Sequence, residues 1–156
     1  MDTRGRCPGS CVKQESVTDE GQKRSKNMRA IRSKDTKPEL IVRRAIHAAG
    51  YRYRLHVKDL PGKPDLVFPR FHAVVEVRGC FWHGHTCSDG HVPHTNTSYW
   101  TPKLQGNKDR DERNVRALKA LGYRVKVIWE CELKSPSGAN KVVERLARWL
   151  SNANVK

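Results

Sequence analysis

Two Cys, two His and two large aromatics fall within the ten residues Arg78-Gly79-Cys80-Phe81-Trp82-His83-Gly84-His85-Thr86-Cys87. Cys80, His85 and Cys87 have the residue types and closeness of ligands for a thiophilic metal. Cys131 ends a β-type run that could pass beside them. Two to three thiolates and one imidazole make a closed tetrahedral site, the kind that Zn²⁺ takes in a structural rather than a catalytic role. His83 is then left over, next to Trp82, and could act as a general base. The alternative is His83 as the fourth ligand in place of Cys131. His91 and His94 are weaker candidates, since a loop holding Pro93 fixes no geometry.

A second group is acidic. Asp65 follows Pro64, and Glu76 lies in the apolar run Ala73-Val74-Val75-Glu76-Val77, two residues before Arg78. Residues two apart on a strand share a face. A carboxylate inside such a strand is costly unless a cation meets it. Pro-Asp, a hairpin and then Glu-x-Arg follow the P-D…(D/E)-x-K pattern of metal-dependent nucleases. There two carboxylates hold Mg²⁺ and the basic residue serves the water or the phosphate. The plainer alternative is a Glu76–Arg78 surface pair. Phe81 and Trp82, with Trp100, are more apolar than a metal loop requires, and aromatic wedges of this type can part a base stack.

These groups need a scaffold, and the sequence predicts one. Asp35 or Thr36 caps a first helix with Pro38 in its first turn; Leu40, Ile41, Ala45, Ile46 and Ala49 recur at helical spacing, and Gly50 stops it. Residues 51–57 alternate apolar and polar as a half-buried strand. Asp65–Phe68 and His72–Arg78 read as the next two strands. Residues 88–107, with Gly, Pro, Thr and Asn, read as a long loop. Lys108–Leu121 reads as a helix with Val115, Leu118 and Leu121 inward. Tyr123–Trp129 is a fourth strand, and Asn140 caps a last helix. The order α-β-β-β-α-β-α implies an α/β fold, one mixed sheet covered by helices.

At 156 residues the chain is most simply one domain at 25–156, preceded by a tail at 1–24. Lys and Arg number 31 against 16 Asp and Glu, a net charge of +15. Such an excess points to a polyanion, nucleic acid by default. Residues 25–34, which include Lys26, Met28 and Arg29, read as an arm that orders on a phosphate backbone. Five Cys cannot all pair within one chain, and their clustering with His favours a metal in a reducing compartment over a secreted scaffold. Cys7 and Cys11 read as unligated thiols. No apolar run is long enough for a membrane span, and the first 30 residues lack a signal-peptide core, so the expected place is the cytoplasm.

From Ser25 to Leu150 the chain resembles the very-short-patch repair (Vsr) DNA mismatch endonucleases. Four blocks carry the resemblance: Ser25-Lys26-Asn27-Met28-Arg29-Ala30-Ile31, Leu60-Pro61-Gly62-Lys63-Pro64-Asp65, Gly79 through Cys87, and Val127-Ile128-Trp129-Glu130-Cys131. It implies a restriction-endonuclease-like core and a nick 5′ to the thymine of a T·G mismatch left by deamination of 5-methylcytosine. Asp65 would bind Mg²⁺ with the Val77 carbonyl, His83 would activate water, and Glu39 would stand near the metal-bound waters. Cys80, His85, Cys87 and Cys131 would hold structural Zn²⁺. Phe81, Trp82 and Trp100 would intercalate, and Met28 would insert from the minor groove. A cytosine-5 methyltransferase and a MutL-type repair protein would be functional partners of a monomeric, nucleoid-associated enzyme. The chain departs from the family in one place: Val77-Arg78 replaces a Thr-His pair, and Glu76 replaces an apolar residue. Glu76 and Arg78 thereby restore the general nuclease pattern, with Glu76 as an added metal ligand and Arg78 on phosphate charge.

Overall fold

The computed structural model describes residues 34–152. Cys7, Cys11, Lys26, Met28, Arg29 and the proposed tail and arm lie outside the described residues. Helix α1 spans Lys37–Ala48. Strands β1 (Arg54–Leu55), β2 (Leu66–Phe68) and β3 (Ala73–Arg78) follow. Helix α2 runs Thr97–Ala120, β4 is Arg124–Trp129, and α3 is Pro136–Ser151. The element order is the expected one.

The sheet is mixed, in the order β1-β2-β3-β4. β1 and β3 each run antiparallel to β2, while β3 and β4 are parallel. A parallel pair needs a crossover, and α2 supplies it. Side chains alternate between the two faces. Leu66, Phe68, Ala73 and Val75 point into a core shared with Val42 and Ile46 of α1 and Leu146 and Leu150 of α3. Val67 and Val74 point the other way, against Leu118 of α2. The result is α1 and α3 on one face of the sheet and α2 on the other.

Four local expectations are corrected. Residues 97–107 are not loop but the first half of a 24-residue helix. Pro102, Gly106 and several Thr and Asn residues make this stretch a poor helix former. Tertiary contacts override that: Leu104 is buried, Trp100 packs on Phe81, and the Asn107 amide donates to the Trp82 carbonyl at 3.0 Å. Leu121 is not inward but 54% exposed, because the helix ends before it. The alternation at 51–57 gives a strand of only two residues, with Leu55 outward, since His56 takes a positive φ of 46° and breaks the extended chain. The last helix starts at Pro136, with the Ser135 hydroxyl accepting from the Gly138 amide, so Asn140 is not its cap. Thr36 does sit at the first N-cap, but its hydroxyl donates to Glu39 at 2.8 Å instead of capping an amide.

Candidate catalytic and metal centres

The sheet register builds both centres at one end. β2 pairs with β3 as far as Leu66 opposite Val75, so Asp65 and Glu76 stand next in register and share the α2 face with Val67 and Val74. Beyond that point the ladder stops. The orphaned Val77 amide is taken by the Asp65 carboxylate, Oδ2, at 2.7 Å. The Val77 carbonyl lies on the same side of the strand as its amide, toward Asp65.

Asp65 is under electrostatic load. Burial pushes its pKa up to about 6; the Val77 amide draws it down, the charges of Glu39 and Glu76 raise it, and Arg43 lowers it. Glu39 itself is buried at 3% exposure and is held from three sides. Its oxygens accept from the Thr36 hydroxyl, the Asp35 amide at 3.1 Å and Arg43 at 2.7 Å. Arg43 also bonds Asp35 and lies 3.0 Å from His56. The charges of Glu39 and Glu76 thus bear on Asp65, with Arg43 on Glu39 and Arg78 on Glu76, and next to them Asp35, Glu39 and His56 bring one ligand atom each within 4.8 Å, a group that could hold a cation.

Glu76 and Arg78 do share a face, and they form a nearly buried pair rather than a surface one, with both side chains 13% exposed. Arg78 Nε and Nη2 both donate to Glu76 Oε2, the first at 2.9 Å. Arg78 Nη1 comes within 3.7 Å of Asp111 Oδ2. That same oxygen pairs with His83 Nδ1. An imidazole nitrogen facing a carboxylate carries its proton, which leaves the lone pair on Nε2. His83 is therefore not a ligand in the metal cluster but the outer member of an Asp111–His83 dyad.

Asp111 was not legible as a site residue. Burial works against its ionisation. The hydrogen bond and charge of His83, with the charges of Arg78 and Arg110, outweigh burial and hold it below the usual carboxylate range. The signal was a carboxylate at an apolar position: Leu104, Asp111 and Leu118, seven apart, are the buried residues of α2. It was hidden because the helix was expected to begin at Lys108.

The four candidate zinc ligands come together. One ligand atom each from Cys80, His85, Cys87 and Cys131 lies within 4.8 Å of the others, and Cys131 Sγ is 3.6 Å from His85 Nδ1. The register explains how. Arg78 of β3 stands opposite Trp129 of β4, so Cys80 and Cys131 are each two residues past the same rung. The His85 ring stacks on Trp129, centroids 4.2 Å apart. Gly90 closes the loop behind it, and a Cβ there would overlap the His85 carbonyl. Burial pushes Cys80 up to about 12 and raises Cys131, whereas the hydrogen bond with His85 brings Cys87 down to about 7. An ion binding here must displace thiol protons. Three sulfurs and one imidazole suit a tetrahedral thiophilic metal. His91 is exposed and bonded to the Ser88 carbonyl, and neither it nor His94 belongs to the cluster.

The same loop carries the aromatics. Phe81 meets Trp82 and Trp100 edge-on at 5.0 and 5.2 Å, and Trp82 meets Trp100 at 6.1 Å. Tyr99, 47% exposed, extends the group, 5.1 Å from Trp100. The expected trio is thus one patch, with Trp100 presented by the first turn of α2 and not by a loop. Among the described residues no helix is long and apolar enough to cross a membrane.

A family model described as DNA mismatch endonuclease Vsr matches residues 17–89. A type II nicking enzyme of Xanthomonas oryzae is 54% identical over 106 residues, covering 68% of this chain and 78% of the relative. One from Neisseria meningitidis is 44% identical, covering 84% and 94%. The DNA mismatch endonuclease Vsr of Escherichia coli is 39% identical, covering 81% and 83%.

Proposed function

This chain belongs to the Vsr DNA mismatch endonuclease family, and from that premise we propose that it nicks duplex DNA on the 5′ side of the thymine in a T·G mismatch, a hydrolysis supported by Mg²⁺. The observation that carries the reading is the meeting of Asp65, Glu76 and the Asp111–His83 dyad beside an aromatic patch on a metal-clipped loop. The α/β core, with its centre where β2 and β3 part, is of the restriction-endonuclease type in this reading.

Asp65, with the Val77 carbonyl and one free oxygen of Glu76, would hold Mg²⁺, and Glu39 would order its waters. A bound Mg²⁺ supplies Lewis-acid polarisation of the phosphoryl oxygen. The work of the chain's own groups is separate. His83 Nε2 takes a proton from the attacking water, and Asp111 holds the imidazolium that results. Arg78, paired to Glu76 and 3.7 Å from Asp111, bridges those two carboxylates, so its guanidinium is engaged there rather than on the phosphate charge expected of it. Cys80, His85, Cys87 and Cys131 would hold Zn²⁺, which keeps the wedge loop ordered before DNA arrives. Phe81, Trp82 and Trp100 then enter beside the mismatch, where a wobble pair is cheaper to open than a Watson–Crick pair. Lys26, Met28 and Arg29 would follow the backbone and the minor groove from the arm. One nick needs one centre, so a monomer suffices. A cytosine-5 methyltransferase would set the sequence context, and a MutL-type protein would stimulate the nick.

The test is a nicking assay on labelled duplexes, T·G against C·G, in several methylation-site contexts with Mg²⁺ or EDTA. A Mg²⁺-dependent nick in the T strand alone supports the reading. Cleavage of matched DNA would leave a restriction-type nuclease, and binding without cleavage would leave a zinc-stabilised DNA-binding module.

Two further outcomes are expected. Glu76→Gln should raise the Mg²⁺ concentration for half-maximal nicking about 10-fold; an unchanged Mg²⁺ titration would remove Glu76 from the metal. Cys131→Ser should lose bound zinc and lower thermal stability, because the metal joins the ends of β3 and β4. Zinc content and melting temperature read this directly, and a variant that keeps both would deny Cys131 its place among the ligands.

A further inference from the structure

We propose that Lys108 binds a phosphate of the strand being cut, immediately beside His83. The proposal rests on the endonuclease reading above and adds a substrate contact to it. Lys108 lies on the packed face of α2, four residues after buried Leu104 and three before buried Asp111. An ammonium on that face is unusual without a partner. Among the described residues Lys108 takes part in no ion pair or hydrogen bond. The carboxylates next to it along the helix are committed: Asp109 to Gln105, Asp111 to His83 and Arg78, and Glu112 to Arg116.

The loop is shaped to receive this side chain. Lys108 lies over Gly84, the residue after His83 and before the zinc ligand His85. A Cβ at position 84 would overlap Lys108 Cε and come within 2.6 Å of Nζ. Gly84 also has a φ of +58°, which a side chain resists. Asp111 thus holds the His83 imidazole, while Lys108 lays its positive charge over the next residue, Gly84. In a protein of net charge +15, an unneutralised ammonium beside a hydrolytic histidine fits one ligand class, the phosphodiester.

The experiment compares the full chain with K108M, which keeps the apolar stem, K108Q, K108R and K141Q. Lys141 is exposed on α3, across the sheet from α2. Binding to mismatched and matched duplexes is measured without Mg²⁺ and without chelator, so that zinc stays bound, over a salt series, and nicking is measured in single turnovers at saturating enzyme. K108M and K108Q should lower the slope of log affinity against log salt by about one, equally for both duplexes. Their saturated nicking rate should fall about 10-fold or more. K108R should restore most of both, and K141Q should change neither.

An unchanged slope in K108M and K108Q, or the same loss in K141Q, overturns the proposal. K108R failing as badly as K108M would make Lys108 structural, as would loss of zinc by both neutral variants. The binding arm needs no cleavage. If the wild-type chain binds DNA but nicks no duplex, the endonuclease reading fails while the slope still decides Lys108. If T·G is nicked normally by K108M, Lys108 fails alone.

Discussion

Asp65→Asn is expected to abolish Mg²⁺-supported nicking, by about 10³-fold or more, while making the Mg²⁺-free protein more stable. The two effects share a cause. Asp65 is an acid whose folded pKa rises from the ordinary value of 3.8 to about 6 through burial and the charges of Glu39 and Glu76. Raised acids favour the folded state at low pH and lose that advantage as pH climbs. Below about pH 4 both folded and unfolded forms are protonated and no cost exists. Between about 4 and 6 the unfolded form ionises first, and the cost grows. Above 6 it stays at its maximum, roughly 3 kcal/mol for a shift of this size. Asparagine keeps an acceptor for the Val77 amide and removes the charge. Melting of the Mg²⁺-free proteins, with zinc left bound, at pH 7.5 should therefore rank Asp65→Asn several degrees above wild type, and the gap should close by pH 4. Equal melting at both pH values would mean that Asp65 carries no such load. Nicking within 10-fold of wild type would remove it from the centre.

Asp111→Asn should cut the nicking rate by about 10³-fold with little change in DNA affinity. Asn offers His83 an amide N–H where the carboxylate offered only lone pairs. The imidazole then accepts at Nδ1 and carries its proton on Nε2, the wrong tautomer for a base. It also loses the charge that stabilises the imidazolium. Since Asp111 is held below the usual carboxylate range despite its burial, its stabilising contribution is present at neutral pH and lost on acidification. The stability gap between Asp111→Asn and wild type should therefore narrow as pH falls. Single-turnover rates with anisotropy binding separate the two roles. A variant that loses affinity and rate in proportion would make Asp111 a fold residue only.

The sequence by itself determined the chemistry in outline. Cys80, His85 and Cys87 stand close enough in the chain for their types to declare a metal. Pro64-Asp65 and Glu76-x-Arg78 declare an acidic nuclease pattern, since period-two spacing puts residues 76 and 78 on one face whatever the fold. The order of helices and strands followed from apolar periodicity. Only tertiary structure decided how these pieces meet. Cys131 joins the cluster because β3 and β4 are parallel and in register at Arg78 and Trp129, and strand register is a long-range property that no local pattern carries. Asp65 stands next to Glu76 because the β2–β3 register puts them on one rung, and it takes the Val77 amide because the ladder ends there. Helix α2 starts eleven residues early, at Thr97 and not Lys108, because the packing of Trp100 and Leu104 outweighs poor propensity. With that first half goes the stripe on which Asp111 could be seen as a buried acid, and so the partner of His83 was the one member of the centre that the sequence withheld.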